Sequence, residues 1–222
     1  MFDDKNLVDK IMAEPGALLI VQAANDRLKN EQQRRQAFYD LITEDDKAEF
    51  VNGEIIFHSP VVKVHNAVTK YLLKLLDTFV EEHDLGFVGV EKILTKFTRN
   101  DYEPDICFFG NEKASLFHDN QLFFPVPDFV VEVLSKSSQK AIEHDTVTKH
   151  KDYELQGVAE YWIVDPHERV VEQHLLENGT YRLVLKSGEG TIHSQAVKGF
   201  SIPIAAIFDK KENRKALLNM LK

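Results

Sequence analysis

Residues 127–166 have the sequence PDFVVEVLSKSSQKAIEHDTVTKHKDYELQGVAEYWIVDP. An apolar run at 129–134 contains a single acidic residue, Glu132, and a second apolar run follows at 160–164. The segment between them, about 142–156, is typical of a helix. Strand–helix–strand units of this length usually have parallel strands joined by a right-handed crossover. We therefore expect an α/β fold in which Glu132 lies on a buried strand.

Further strands and helices are predicted around this unit. Asn52-Gly53 and Asn178-Gly179 each separate two short apolar runs, a pattern typical of β-hairpins with a type I′ turn. After Ser59-Pro60, apolar residues recur at helical spacing, which predicts a helix with one buried face. These residues are Val64, Val68, Leu72, Leu75 and Phe79. Residues 87–97 and 102–109 are typical of strands. The patterns together predict a mixed β-sheet core flanked by helices.

The first 42 residues are expected to form a helical N-terminal extension. Pro15-Gly16 breaks a short first helix from a longer one at 17–42, whose second half is almost wholly polar, so only one end can pack. This segment either mediates contacts in a homo-oligomer or is a partly frayed terminal helix. We expect the folded domain to span residues 43–210, with a C-terminal tail or short helix at 211–222.

Composition and charge narrow the possible function classes. The chain has 222 residues, a formal net charge of −9 at pH 7 and one cysteine, Cys107, so an intramolecular disulfide is impossible. No apolar run is long enough to cross a bilayer, and the acidic N-terminus lacks a signal-peptide pattern, so we expect a soluble cytoplasmic protein without a membrane partner. The charge argues against loose coating of nucleic acid, but a bound cation would reverse its sign locally. The nine histidines have no zinc-type spacing.

The buried strand at 129–134 predicts a metal site. Burying Glu132 among valines costs on the order of several kcal/mol unless a cation or hydrogen-bond donors compensate for it. Asp105, on the predicted strand at 102–109, can lie beside Glu132 if the two strands are neighbours. Asp128 points the same way as Glu132 but lies roughly 13 Å away along a straight strand, too far to share one metal. Asp105 and Glu132 are therefore the better pair of ligands.

The helix after this strand supplies a positive charge. Asp145, Lys149 and Tyr153 are spaced i, i+4 and i+8 and lie along one helical face. If that face packs near the end of the Glu132 strand, Lys149 can stabilise charge that develops on a phosphate or can position an attacking water. Spacing alone favours the alternative of an ordinary surface Asp–Lys pair. His65 is either a buried polar contact or a substrate contact.

Motifs spread along the chain resemble one protein family. The motifs are Asn52-Gly53-Glu54, Ser59-Pro60 with His65, Glu103-Pro104-Asp105, Pro127-Asp128 with Glu132-Val133-Leu134-Ser135, Asp145 with Lys149 and Tyr153, and Glu160-Tyr161-Trp162-Ile163-Val164-Asp165-Pro166. The set is similar to a prokaryotic family of restriction-endonuclease-like proteins within the PD-(D/E)XK nuclease superfamily, from about residue 42 to residue 209. The resemblance implies a restriction-endonuclease-like fold and metal-dependent hydrolysis of phosphodiester bonds.

The resemblance also implies catalytic roles for individual residues. The superfamily's Asp and Asp/Glu metal ligands match Asp105 and Glu132. The lysine expected two residues after the Glu is replaced by Leu134. In this family the lysine comes from the following helix, and Lys149 matches that position.

Supporting residues follow from the same resemblance, with some alternatives open. Glu54, or with less support Glu49, would be the early acid that completes the metal site. Lys136 and Lys140 could take the place of Lys149. The other residues expected to support the site are Asp128, Asp145, Tyr153 and His65.

The function that these features predict is endonucleolytic hydrolysis of DNA with Mg²⁺ or Mn²⁺ as the cofactor. One alternative is a binding or regulatory module that kept the nuclease fold and lost its activity. Another is a structural oligomer whose functional surface is the helix at 17–42. The fold alone does not distinguish these functions, because function depends on the site.

Overall fold

The computed structural model describes residues 4–58, 60–135 and 144–222. The first half of the chain forms the elements α1 (Asp4–Ala13), α2 (Ala17–Leu41), β1 (Ala48–Val51), β2 (Glu54–Phe57), α3 (Lys63–Glu82), β3 (Gly86–Val90), β4 (Leu94–Lys96), β5 (Asp101–Tyr102), β6 (Ile106–Gly110) and α4 (Asn111–Ala114). The predicted break between the first two helices, at Pro15-Gly16, is confirmed.

The second half begins with the strands β7 (Phe123–Phe124) and β8 (Phe129–Val133). A π-helical segment (His144–Lys149) leads directly into α5 (His150–Gln156). The remaining elements are β9 (Glu160–Asp165), β10 (Val170–Glu177), β11 (Thr180–Ser187), β12 (Thr191–His193), β13 (Ser201–Pro203), α6 (Ala205–Phe208) and α7 (Lys210–Met220). The last of these helices occupies most of the predicted C-terminal segment.

The larger sheet has six strands in the order β11-β10-β9-β8-β6-β3. The pair β8 and β9 is parallel, with Glu132 opposite Ile163, and the other neighbouring strands are antiparallel. The predicted parallel strand–helix–strand unit is therefore confirmed, and so is the mixed sheet flanked by helices. The predicted hairpin at Asn178-Gly179 joins β10 to β11.

A smaller sheet of five strands in the order β2-β1-β5-β4-β7 lies over one face of the larger sheet. Its first two strands form the predicted hairpin, in which both Asn52 and Gly53 have positive φ angles, 51° and 85°. A type I′ turn requires this conformation at both central residues.

Hydrophobic clusters cover both faces of the larger sheet. On one face α3 and the C-terminal helices pack against alternate residues of the central strands, including Phe129, Val131 and Trp162. On the other face the smaller sheet and α5 pack against the intervening residues, including Val130 and Tyr161. Because side chains alternate along a strand, Glu132 shares the second face with Val130.

The prediction of two long strands at 87–97 and 102–109 is wrong. The chain forms four short strands there, of which β3 and β6 join the larger sheet while β4 and β5 join the smaller one. Glu91 has a positive φ of 56°, and this turn takes the chain out of the larger sheet. Pro104 lies in the chain between β5 and β6. It has no backbone N–H to donate to a neighbouring strand, so the two segments do not form one continuous strand.

The C-terminal half of α2 is held tightly on the domain. The Arg35 guanidinium donates to the buried Asp101 carboxylate, with Nε 2.8 Å from Oδ2, and to the backbone oxygen of Phe97. Phe38 is buried against Phe50. The polar half of the helix therefore packs through its few apolar residues and one buried ion pair.

The N-terminal half of α2 and the preceding α1 are exposed instead. We call residues 4–30 the N-terminal arm, and nearly all of its side chains from residue 18 onward lie in solvent. Among the described residues, no helix combines the length and apolar character needed to span a membrane.

Candidate active site

Asp105 and Glu132 lie at the ends of neighbouring strands. β6 pairs with β8 through Ile106 opposite Val131, and continuing that register by one residue places Asp105 opposite Glu132. Both side chains are buried, and Asp105 Oδ2 accepts a hydrogen bond of 2.7 Å from the backbone N–H of Val133. Asp105 thus lies immediately before β6, level with Glu132 on the neighbouring strand, and the positive charge of Lys149 acts on both acids.

Lys149 lies between two buried carboxylates. Its Nζ is 3.0 Å from Oε1 of Glu132 and 2.9 Å from Oε1 of Glu49, and the residue is only 2% exposed. The Tyr153 hydroxyl donates to the same Glu132 oxygen at 2.8 Å. A surface Asp–Lys pair is thus not the environment of this lysine. It is the buried cation that offsets part of the cost of burying the acids.

The early acid of the cluster is Glu49, and the expectation that favoured Glu54 is wrong. Glu54 lies on β2, the edge strand of the smaller sheet, and its side chain is exposed. Glu49 lies on β1, which is enclosed between β2 and β5, and every residue of β1 is buried. Glu49 also accepts a hydrogen bond from the backbone N–H of Glu103, 3.0 Å from its Oε1.

His65 forms a buried pair with Asp105. Its Nε2 lies 3.2 Å from Asp105 Oδ2. Burial lowers the pKa of His65, but the hydrogen bond and charge of Asp105 outweigh this effect and raise the pKa above its ordinary value. Burial raises the pKa of Asp105, but His65, the Val133 N–H and the Lys149 charge together hold it below its ordinary value. Asp105 is therefore ionised at neutral pH.

Glu103 is another buried acid, and its backbone N–H contacts Glu49 of the cluster. It is 5% exposed, and in the part of the chain that the structure describes its Oε2 has no hydrogen-bond partner. Burial and the charge of Glu49 raise the pKa of Glu103 to about 8.

The variant Glu103→Gln is expected to be more stable than the wild type near pH 8, with the difference shrinking toward pH 4.5. The folded-state pKa of Glu103 is raised from 4.5 to about 8, so between these values the folded protein binds more protons than the unfolded chain. Wild-type stability therefore falls as the pH rises through this window, and the variant lacks this contribution. Urea unfolding across the window measures it, with Glu177→Gln as an exposed control. A pH-independent difference would contradict the assignment.

The other predicted supporting residues differ in their placement. Asp128 accepts hydrogen bonds from the backbone N–H of Gly110 and from Lys113 Nζ, at 2.8 and 2.5 Å, which ties α4 to β8. The Tyr153 hydroxyl donates to Glu132, and burial raises the pKa of Tyr153 well above its ordinary value. The side chain of Asp145 lies outside the described residues.

Two alternatives to Lys149 also fall outside that part of the chain. The positions of Lys136 and Lys140 are not among the described residues, and neither is Ser59 at the predicted helix start. Cys107 is fully buried in β6, and burial raises the pKa of its thiol, as expected of an inert core cysteine.

The acid pair has the chemistry of a site for a hard divalent cation. Carboxylate oxygens are the ligands that Mg²⁺ and Mn²⁺ prefer. Mg²⁺ is usually held by one or two carboxylates and completes its shell with water and substrate phosphate. Within residues 4–58, 60–135 and 144–222, no group of three or more His, Cys, Asp or Glu side chains is arranged to hold a metal.

Glu160 is a buried acid that the sequence reasoning missed. It is the first residue of β9, opposite Phe129 of β8, and it faces the side of the sheet away from Glu132. Five donors satisfy it, at distances of 2.6–2.8 Å. They are Trp162 Nε1, Gln173 Nε2, Ser194 Oγ and the backbone N–H groups of Gln195 and Ala196. The role of Glu160 is structural: it anchors the loop at 194–196.

The fold and this cluster place the chain among restriction-endonuclease-like proteins. A family model described as "Uma2: Putative restriction endonuclease" matches residues 35–205, and the chain belongs to that family. A search of curated proteins finds no match.

A solved structure supports the same fold. It is a crystal structure described as a "putative nuclease belonging to DUF820" from Anabaena variabilis, which superimposes with a TM-score of 0.62 at 18% sequence identity. The match covers 77% of this chain and 94% of the other. At this identity the likeness concerns the fold, and the predicted restriction-endonuclease-like architecture is thereby confirmed.

Proposed function

We propose that this protein is a metal-dependent endonuclease that hydrolyses phosphodiester bonds in DNA. The observation that carries the proposal is the position of Lys149, 3.0 Å from Glu132, which in turn lies opposite Asp105 on the neighbouring strand. Two acids and a lysine that converge at the ends of two strands are a suitable set for phosphodiester hydrolysis.

Each residue of the cluster has a distinct part in this proposal. Asp105 and Glu132 hold the divalent cation, Mg²⁺ or Mn²⁺. When bound, the cation lowers the pKa of water and offsets the charge of the scissile phosphate. Lys149 stabilises the negative charge that develops on the phosphate or orients the attacking water.

Supporting residues hold these groups in place. Glu49 keeps the Lys149 ammonium beside Glu132, and the Tyr153 hydroxyl donates to the same Glu132 oxygen that Lys149 contacts. His65 orients the Asp105 carboxylate through its Nε2.

Bulk electrostatics predicts weak affinity for DNA. The net charge of −9 means that few counterions are released on binding, so the ground-state complex with DNA is weak. Hydrolysis is compatible with this if the binding energy is concentrated at the cation and the scissile phosphate. We also propose that the protein resides in the cytoplasm, where its DNA substrate is present.

A catalytically inactive binding or regulatory module is the second candidate. The observation that favours it is the tight pairing of Lys149, whose ammonium lies within 3.0 Å of both Glu49 and Glu132. A lysine held between two acids must be displaced toward a substrate before it can contact phosphate. The presence of Leu134 at the position where the superfamily has its lysine also favours an inactive module.

Relaxation of supercoiled plasmid distinguishes the two candidates. We expect slow nicking by the wild type in Mg²⁺ or Mn²⁺ and none after the metal is removed with a chelator. Absence of nicking with either metal would contradict the nuclease proposal and favour the inactive module.

Self-association through the N-terminal arm is a separate proposal. The arm exposes eight large apolar side chains, each between 41% and 78% exposed. They are Leu7, Val8, Met12, Leu18, Leu19, Ile20, Val21 and Leu28. Exposed apolar patches beyond a few hundred Å² mark interaction sites. A second copy of the chain is the partner we propose. The proposed division of the chain is an N-terminal extension at 1–42, a nuclease domain at 43–210 and a C-terminal segment at 211–222.

Replacing Leu18 and Leu19 together by glutamate should give a smaller particle in sedimentation than the wild type. Two charges would be buried in the interface at positions that lie in solvent in the single chain, so assembly is lost while the fold is kept. The matched control is Gln22→Glu with Asn25→Glu, which adds the same charge at exposed polar positions of the arm. An unchanged sedimentation coefficient in the leucine variant would contradict the proposal.

A further inference from the structure

A pocket of about 310 Å³ lies beside the candidate active site. Its walls come from residues 42–46, 92–94 and 119–124, and Glu103 is one of its lining residues. This volume is at the lower end of the range for pockets that bind small ligands. The metal-site proposal makes no use of the pocket.

The pocket combines an apolar wall with an acidic lining. Leu94 and Phe124 are buried, and Phe123 is half-buried beside them. Such walls accept an alkyl or aromatic group.

The charges around this wall are mostly negative. Four acidic side chains line the pocket together with one ammonium group: Glu44, Asp46, Glu103 and Asp119, with Lys92. The Lys92 ammonium is turned to the backbone oxygens of Glu44 and Asp45, at 3.1 and 2.9 Å. The pocket thus has a net negative field that repels phosphate and favours a cation.

Glu103 supplies the specific polar contact. It is the buried acid of the four, and its Oε2 lacks a hydrogen-bond partner among the described residues. A buried acceptor without a partner is costly, and a ligand that donates a hydrogen bond to it would recover that cost. Glu44 and Asp119 are exposed and contribute charge at the mouth.

We propose that this pocket binds an alkyl guanidinium or alkylammonium group, carried by a small amine or by an arginine or lysine side chain of a partner protein. The alkyl stem packs on the apolar wall, and the cationic head donates to Glu103 Oε2. Charge-assisted hydrogen bonds of this kind are about twice as strong as neutral ones. A nucleotide phosphate is disfavoured by the acidic lining of the pocket.

The pocket is connected to the candidate active site through one backbone contact. The N–H of Glu103 donates to Glu49 Oε1, the oxygen that also holds Lys149 Nζ at 2.9 Å. A ligand bound to the Glu103 side chain therefore contacts the residue whose backbone N–H holds Glu49, the acid that pairs with Lys149. The binding proposal is independent of nuclease activity, because its test needs no DNA.

Isothermal titration of the full chain with butylguanidinium at about pH 9, where Glu103 is ionised and guanidinium is still charged, tests the proposal. We expect saturable binding to the wild type and at least about tenfold weaker binding of butylurea, a neutral analogue of similar shape. Glu103→Gln should weaken butylguanidinium binding by a similar factor, and Asp119→Asn by less. The control Glu177→Gln, an exposed acid paired with Arg182 outside the pocket, should leave the affinity unchanged.

Two results would overturn the proposal. One is the absence of butylguanidinium binding to the wild type at millimolar concentrations. The other is an equal affinity in Glu103→Gln, provided that its circular dichroism and unfolding match a folded protein. A capped Gly-Arg-Gly peptide that binds more tightly than butylguanidinium would identify a protein side chain as the source of the cation. Tighter binding of the small amine would identify a free metabolite.

Discussion

Replacement of Lys149 by methionine is expected to lower the free energy of unfolding by about 3–5 kcal/mol. Its ammonium is buried, 2.9 Å from Glu49 and 3.0 Å from Glu132, and the two carboxylates are buried as well. Methionine has a similar length but no charge, so the change leaves two buried acids without this cation. Urea unfolding followed by circular dichroism at pH 7 measures the loss.

Matched variants separate this electrostatic effect from a general effect of mutating the helix. Lys151→Met, at an exposed position of α5, should change stability by no more than about 0.5 kcal/mol. Adding Glu49→Gln to Lys149→Met should recover part of the loss, because the two side chains are coupled. A loss below about 1 kcal/mol in Lys149→Met would show that the lysine does not compensate the acids.

The variant Glu132→Gln is expected to reduce metal-dependent plasmid nicking by at least about 100-fold. Residues that only orient metal ligands typically affect metal affinity or activity by 10–100-fold, and a ligand should exceed that. The amide keeps the shape of the side chain and can still meet Lys149 and Tyr153 through its oxygen, so the fold should survive. Relaxation of supercoiled plasmid in Mn²⁺ measures the effect.

Asp128→Asn is the matched control for this variant. Asp128 lies on the same chain segment as Glu132, but its carboxylate is engaged by Lys113 and Gly110. It should retain wild-type nicking. Equal residual activity in Glu132→Gln and the wild type would attribute the nicking to a contaminant or to another site.

Local sequence patterns predicted the central part of the fold, while the family resemblance singled out Lys149 as the lysine of the site. A short helix that follows a buried strand returns across the end of that strand, so Lys149 meets Glu132 at a separation of 17 positions in the sequence. The hairpin at Asn52-Gly53 was predictable because few residues accept positive φ at both turn positions.

The choice between Glu49 and Glu54 could not be made in the same way. Both acids lie on one hairpin, and the sequence pattern of a hairpin does not show which of its strands will be the edge of a sheet. β1 is buried because it pairs with β5, a contact between residues 50 and 101 that no local pattern reveals. Glu54 is exposed because β2 has no neighbour on its other side within the described sheet.

A buried acid in a sequence does not by itself indicate a metal site, because its hydrogen-bond donors can come from residues far along the chain. Glu132 and Glu160 look alike in the sequence, each a single acid at an apolar strand. Glu160 is satisfied by donors from residues 194–196, more than 30 positions away. The partner of a buried carboxylate can be a metal, a lysine or a distant loop, and only the tertiary structure distinguishes them.

Calorimetric titration with Mn²⁺ tests the central claim most directly, that Asp105 and Glu132 jointly hold a divalent cation. We predict one Mn²⁺ bound per chain in the wild type and in Asp128→Asn. Binding should be lost in both Asp105→Asn and Glu132→Gln, with each variant still folded. An unchanged titration in those two variants, or no Mn²⁺ binding by the wild type, would contradict the account.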